Sequence, residues 1–292
     1  MKLGASREIR RARPLLGTFV EITADCESRS FERAFAAVEQ VQKLMSYHDP
    51  ASEVSRLNRD AYREPVFVSE WTSVVLRAAV AIAEKSGGAF DPTVAPAIRA
   101  LGFLPSTPGA PRADRRASWR DIELLSRRRV RFRRALRIDL GGIAKGFAVD
   151  RGIDVLRAEG CSGGLINAGG DVRAFGPLDW SIGIRDVVRP AVDACIVSIR
   201  NAALATSAGY FARRTRGGRT VTALLDGRTR QPHDASLSAS VIAPTALVAD
   251  ALTKVVLAFG LKANSVLSQY EAVAIICDSR GYQTIPAISH EE

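Results

Sequence analysis

The spacing of apolar residues changes period several times along this chain, and each change marks an element. Residues 17–23, GTFVEIT, alternate as a strand does. From Ser30, a suitable N-cap, Phe31, Ala34, Val38, Val41 and Met45 recur at three- and four-residue steps and predict a helix. Turn chemistry follows at Asp49-Pro50, and Ser52 with Glu53 can open a short helix leading to Asn58. A second helix is predicted over about 69–86, from the cap Ser69 to Gly87-Gly88. Residues 103–118, rich in Pro, Arg, Ala and Ser, read as a surface loop. A hairpin over about 128–140 then carries Leu136, Ile138 and Leu140 in alternation with Arg137 and Asp139. It runs into IDLGGIAKGFAVD (138–150), which breaks at Gly141-Gly142 and resumes as a helix with Ile143, Phe147 and Ile153 on one face, ending near Gly160.

Beyond 161 the pattern turns to strands: 165–167, 172–175, 180–184 and 195–199. A hairpin joins 211–214 to 220–226 through Gly217-Gly218, and a strand covers 238–243. Pro244-Thr245 opens a last long helix over 246–260, and a strand near 272–277 follows. Helices and strands mix without strict βαβ alternation, so the expected class is α+β, with mixed or antiparallel sheets and packed helices.

A chain of 292 residues with 47% hydrophobic content can bury a large core. Its formal charge of +10, from 41 Lys+Arg against 31 Asp+Glu, suits an anionic partner. Eleven arginines lie between Arg112 and Arg137, several alternating with Val130 and Phe132, as on the solvent face of a hairpin. Only Trp119 and Phe132 interleave aromatically there, which argues against a nucleic-acid site. Cys26, Cys161, Cys195 and Cys277 form no CxxC pair. They point to no zinc site and no disulfide framework, and are expected as isolated small buried residues. The basic N-terminus lacks an apolar signal-peptide core, and no run approaches the roughly 18 apolar residues needed to span a bilayer. The expectation is a soluble cytoplasmic protein with no membrane span; a missing upstream export signal would make it periplasmic.

Strand end, glycine pair and helix start together leave free backbone N–H groups and a positive dipole end above the turn at 141–142. Lys145 adds a mobile cation there, and Asp139 a carboxylate able to accept from a ligand ring or ribose. The spacing fits neither a Walker A loop nor a dinucleotide fingerprint. The three histidines, His48, His233 and His290, accompany no nucleophile elbow, so a serine hydrolase is not supported. Asp91, Asp139, Asp171 and Asp226 all stand beside Gly, Pro or strand ends, where loops gather. Asp250 has Thr253 and Lys254 at i+3 and i+4. Such hard oxygens suit Mg²⁺ rather than zinc, while the plain alternative is a helical Asp250–Lys254 ion pair.

Several segments, in order, resemble the ApbE family of FAD:protein FMN transferases: LGTFVEIT (16–23), MSYHDPASEVSRLN (45–58), SGGAFDPTVAP (86–96), DLGGIAKGFAVD (139–150), NAGGD (167–171), ATS (205–207) and ADALT (249–253). The resemblance covers roughly 14–261. It implies a tail over 1–13, one flavin-transferase domain over 14–261, and a C-terminal strand and tail over 262–292 completing that domain. It implies an FAD site between two halves of an α+β fold, with Mg²⁺ at the pyrophosphate. The implied reaction moves FMN from FAD to a Ser or Thr hydroxyl of an acceptor protein and releases AMP. Hydrolysis of FAD to FMN and AMP, or FAD binding without catalysis, are the alternatives. By position, Leu16, Tyr47, His48, Ala89, Phe90, Asp91, Asp139, Lys145 and Leu224 would contact FAD. Gly142, Asp250 and Thr253 would hold the metal, and Asp250, Lys254 and Asp226 would serve catalysis. The chain departs from the family pattern at Ala223 (for histidine), Gly227 (proline), Arg230 (glycine), Gly209 (aspartate) and Lys254 (threonine).

Overall fold

The computed structural model describes residues 8–286 apart from 212 and 217. His290, and Gly217 of the expected hairpin turn, lie outside the described residues. In chain order the first half contains β1 (Ile9–Leu15), β2 (Thr18–Ala24), α1 (Ser28–Met45), α2 (Glu53–Asp60), β3 (Val66–Phe67), α3 (Glu70–Lys85), α4 (Ala95–Ala100), β4 (Ile122–Leu124), β5 (Arg129–Phe132) and α5 (Ala144–Ala158). The second half contains β6 (Gly164–Ala168), β7 (Asp171–Phe175), β8 (Trp180–Arg185), β9 (Asp193–Ile199), β10 (Ala203–Ala208), β11 (Arg213–Arg216), β12 (Arg219–Thr222), β13 (Ser238–Ala243), α6 (Ala246–Phe259), α7 (Asn264–Leu267), β14 (Val273–Asp278) and β15 (Gly281–Ile285).

An eight-stranded sheet in the order β1-β2-β6-β7-β10-β13-β14-β15 is the scaffold, with every neighbouring pair antiparallel. Alternation sorts its side chains cleanly. Ile22, Ile166, Ala205 and Val241 face α5 and α6, while Leu165, Val172, Leu204 and Ile275 form a second, smaller core with Ile184 and Ile199 of the β8–β9 ribbon. Helix α1 packs against α5. This is the expected α+β architecture. The arginine-rich segment is likewise the solvent face of β5: Arg129 and Arg131 are exposed while Val130 and Phe132 are buried.

Four expectations need correction. The stretch 1–13 is not all tail, because Ile9–Leu15 pairs with β2 across a two-residue turn whose Leu16 and Gly17 both take positive φ. Helix α1 starts at Ser28 rather than after a Ser30 cap, and Glu27 before it makes no side-chain cap bond. The run 136–140 is buried in the expected alternation but joins no sheet. Asn58 supplies the partners a neighbouring strand would: its Nδ2 donates to Ile138 O at 2.9 Å, and its Oδ1 accepts from Ile138 N at 2.8 Å. Asp139 N donates to Pro92 O at 2.8 Å. Finally, Cys26 and Cys161 form a disulfide, with Cα atoms 5.3 Å apart, that ties the turn before α1 to the turn after α5. Cys195 and Cys277 are free.

Candidate active site

A cleft of about 890 Å³ opens between one end of the strands β2, β6, β7 and β10 of the large sheet and the segments that follow α3 and precede α5. Its walls are the β1–β2 turn, residues 89–92, residues 139–142 with the start of α5, the turn 167–170, parts of β8 and β10, residues 223–225 and one face of α6. Of the ligand contacts suggested by the sequence, Leu16, Ala89, Phe90, Asp91, Asp139, Lys145 and Leu224 line it. So do Gly142, Asp250 and Lys254.

Tyr47, His48, Thr253 and Asp226 do not line it. The Tyr47 hydroxyl pairs with Thr107 Oγ1 at 2.9 Å, and its ring meets His48 edge-on at 6.4 Å. Asp226 is held by Arg228, whose Nη2 lies 2.6 Å from Asp226 Oδ2. Burial would raise that carboxyl, but the bonds from Arg228 hold it below the usual range. A carboxylate so engaged is a poor base, and Asp226 does not reach the cleft as expected.

Asp91 lines the cleft, yet its oxygens are already engaged. Pro92 forces the extended backbone at Asp91, whose Oδ1 then accepts from Thr93 N and Thr93 Oγ1, each at 2.8 Å. Its Oδ2 pairs with Arg230 Nη2 at 2.9 Å. Asp139 differs. Its Oδ1 accepts from Gly141 N at 3.0 Å, and among the described residues it has no ion-pair partner. Burial pushes its carboxyl above the ordinary value. A ligand N–H or O–H would find an acceptor there.

The deep end of the cleft is built where α5 and α6 cross. A Cβ at Gly146 would come within 2.1 Å of Ala246 O, so only glycine permits this approach. At the crossing, Asp250 Oδ2 accepts from Gly146 N at 3.2 Å, and Asp250 Oδ1 pairs with the Lys254 ammonium. Lys254 Nζ also donates to Asp250 O at 2.9 Å. Lys145, one residue before Gly146, pairs with Asp171 Oδ2 at 2.7 Å. The carboxylates are nearly sealed, with side-chain exposures of 1% for Asp171 and 2% for Asp250, while Lys145 and Lys254 keep 27% and 14%. Burial and the Asp250 charge push Asp171 up to about 7 against the pull of Lys145. Burial acts on Asp250 too, but Lys254 and Lys145 outweigh it and hold that carboxyl below its ordinary value.

The donor set expected for Mg²⁺ does not fit that ion. A magnesium site needs oxygens with free lone pairs in near-octahedral array. Here each Asp250 oxygen already accepts a bond, one from Gly146 N and one from the Lys254 ammonium, a like charge beside any cation placed there. The Thr253 hydroxyl donates to Asp250 O at 2.7 Å and pairs with Ser207 Oγ at 2.7 Å. Lys254 fills the space beside Gly142, its Cε 3.2 Å from where a Cβ there would stand. Among the described residues no group of three or more His, Cys, Asp or Glu could hold a metal. The pairing of Lys145 with Asp171 escaped sequence reading, although Gly169-Gly170-Asp171 marked the turn that brings them together. Ser207, in the ATS segment, also lines the cleft.

Residues 16–277 match the model of the ApbE family. A protein of Treponema pallidum named FAD:protein FMN transferase is 28% identical over an alignment covering 89% of this chain and 81% of that one. A Haemophilus influenzae protein of the same name is also 28% identical, covering 80% and 72%. Among solved structures, the ApbE protein of Thermotoga maritima superposes with a TM-score of 0.85 at 27% identity, covering 96% of this chain and 97% of its own.

Proposed function

This chain belongs to the ApbE family, and on that premise we propose that it is an FAD:protein FMN transferase acting on a Ser or Thr hydroxyl of an acceptor protein. The observation that carries the reading is a pair of lysines, Lys145 and Lys254, lining the deep end of a cleft large enough for a dinucleotide. Lys145 stands in the first turn of α5, and Lys254 pairs with Asp250, which accepts from Gly146 N in that same turn. A pyrophosphate seated there meets two ammonium groups and the positive end of a helix. The acceptor oxygen attacks the phosphorus of the FMN half and forms the new P–O bond. The bond from that phosphorus to the bridging oxygen breaks, and AMP leaves with its electron pair while the hydroxyl proton is released. Charge growing on the phosphoryl and leaving oxygens is what the lysines stabilise. Asp139 accepts from the flavin or adenosine, and Leu16, Ala89 and Phe90 supply apolar wall. Magnesium has no step in this scheme, because the donor set does not fit it.

The test is AMP release from FAD with and without a protein bearing a candidate Ser or Thr. Release that needs the acceptor, with flavin left covalently on it, is the expected result. Release at the same rate without acceptor would replace the reading with FAD hydrolysis. The Cys26–Cys161 disulfide favours an oxidising compartment over the cytoplasm expected from sequence.

A further inference from the structure

We propose that Lys254 is the site's resident cation, so that flavin transfer by this chain needs no divalent metal. The inference rests on the transferase reading and concerns what neutralises the pyrophosphate. Three features converge on it. First, the ammonium is anchored rather than mobile. It bonds to the Asp250 carboxylate and, at 2.9 Å, to the Asp250 carbonyl of the preceding helical turn, and its stem lies against Gly142. A fixed point charge at the cleft floor is what a bound metal would otherwise provide.

Second, the Asp250 carboxylate and the Thr253 hydroxyl, two of the groups expected to hold a metal, already make bonds within the protein. Gly146 N holds Asp250 Oδ2, and Ser207 holds the Thr253 hydroxyl. A divalent ion would have to break the Asp250–Lys254 pair and leave the ammonium unpaired in a site where it is only 14% exposed. Third, the fixed charges cancel. Lys145 and Lys254 face Asp171 and Asp250, two against two, and Asp139 is a further carboxylate whose charge burial disfavours. Such a cluster has little net attraction for a dication. Yet its lysines reach the cleft while two of its aspartates are nearly sealed, so a diphosphate meets the positive side.

The test uses the full chain stripped with EDTA. Wild type should release AMP in the presence of acceptor at the same rate, within about twofold, whether EDTA or millimolar Mg²⁺ is present. Lys254→Met should lose roughly 10²–10³-fold in either condition, as expected for removing a preorganised charge. Lys254→Thr, which replaces the ammonium by a hydroxyl at the same helical position, should be inactive in EDTA and regain activity with Mg²⁺. Mn²⁺ binding followed by electron paramagnetic resonance, with and without FAD, gives a readout independent of turnover. No stoichiometric site is expected in wild type and one in Lys254→Thr. Loss of wild-type activity in EDTA with recovery on Mg²⁺ would overturn the inference while leaving the transferase standing. No AMP and no labelled acceptor under any condition would sink the transferase reading. The Mn²⁺ titration would still decide the cation question, because a stoichiometric wild-type site refutes it.

Discussion

Two aspartates one hundred residues apart, Asp150 and Asp250, perform the same local task with opposite outcomes. Asp150, on α5, holds the start of α6: its Oδ1 accepts from Ala246 N and its Oδ2 from Leu247 N, both at 2.9 Å. Asp250, on α6, reaches back to Gly146 N in the first turn of α5. Each has a basic partner, Arg173 at 2.7 Å for Asp150 and Lys254 for Asp250. Only the second pair faces the cleft. A buried carboxylate at a helix start therefore says nothing about function by itself. What separates the two is whether the cation it anchors can also touch a ligand.

Removing each aspartate should separate these roles. Asp150→Ala leaves Arg173 and two helix amides without a partner in a closed interior. It is expected to cost about 3–5 kcal/mol in urea denaturation, with FAD affinity of the folded fraction kept. Asp250→Ala leaves Lys254 and only one helix amide without a partner, at the wall of the cleft. It should cost about 1–3 kcal/mol but depress AMP release at least a hundredfold. Equal stability losses would erase the distinction.

The disulfide secures the opposite end of α5 from these contacts. Replacing Cys26 and Cys161 together by Ser is expected to lower stability by about 2–4 kcal/mol. FAD affinity should stay unchanged, since neither residue lines the cleft. A loss of FAD binding larger than the loss of folded protein would tie that end of the helix to the site.

A smaller effect is expected at Asp139. Burial raises its carboxyl in the free protein, and a ligand donor would lower it again. Binding then releases a proton, so FAD affinity should increase as pH climbs through the free-protein value and level off above it. Asp139→Asn should flatten that profile and weaken binding about tenfold, or 1.4 kcal/mol, at the plateau. An unchanged slope would move Asp139 off the ligand.

The smallest effect is expected at Arg230, which occupies a left-handed position, φ 60°, where glycine sits more easily. Arg230→Gly should gain about 1 kcal/mol of backbone ease at low pH. It also strips Asp91 of its cation. The Asp91 carboxyl, already raised from 3.8 by burial despite Arg230, would rise further. A folded-state value above the unfolded one means stability falls as pH increases between the two. The variant should therefore match or exceed wild type in thermal melts at pH 4 and fall below it at pH 8. A pH-independent difference would show that the pair does not govern Asp91.

Local pattern carried much of the fold. Ser52, Ser69 and Thr245 each cap the helix they were expected to open. The strand over 238–243 has the expected bounds. Where reading failed, the partner lay far away in sequence. Nothing near 136–140 announces that Asn58 will satisfy its backbone, and nothing near Cys26 announces Cys161, 135 residues on. β1 was hidden for another reason: its run Ile9–Leu15 carries three arginines in seven residues and none of it is buried, as an edge strand can be. In the cleft, the family resemblance named Leu16, Ala89, Phe90, Asp91, Asp139, Gly142, Lys145, Leu224, Asp250 and Lys254, all of which line it, but could not give the Lys145–Asp171 pair. The i+4 spacing of Lys254 from Asp250 gave their ion pair, but the bond to the Asp250 carbonyl and the packing on Gly142 came only from the atoms it touches.

The exchange between Asp150 and Asp250 also bears on how the molecule assembles. Each carboxylate serves the start of a helix 96 to 104 positions away, Asp250 in addition to its pair with Lys254 on its own helix. Both contacts therefore require a large loop to close before they return any energy. They belong late on the route from the unfolded chain, after the helices have docked. Substitutions there should leave the refolding limb of a chevron nearly untouched and steepen the loss on the unfolding side, shortening the lifetime of the native state more than they slow its formation.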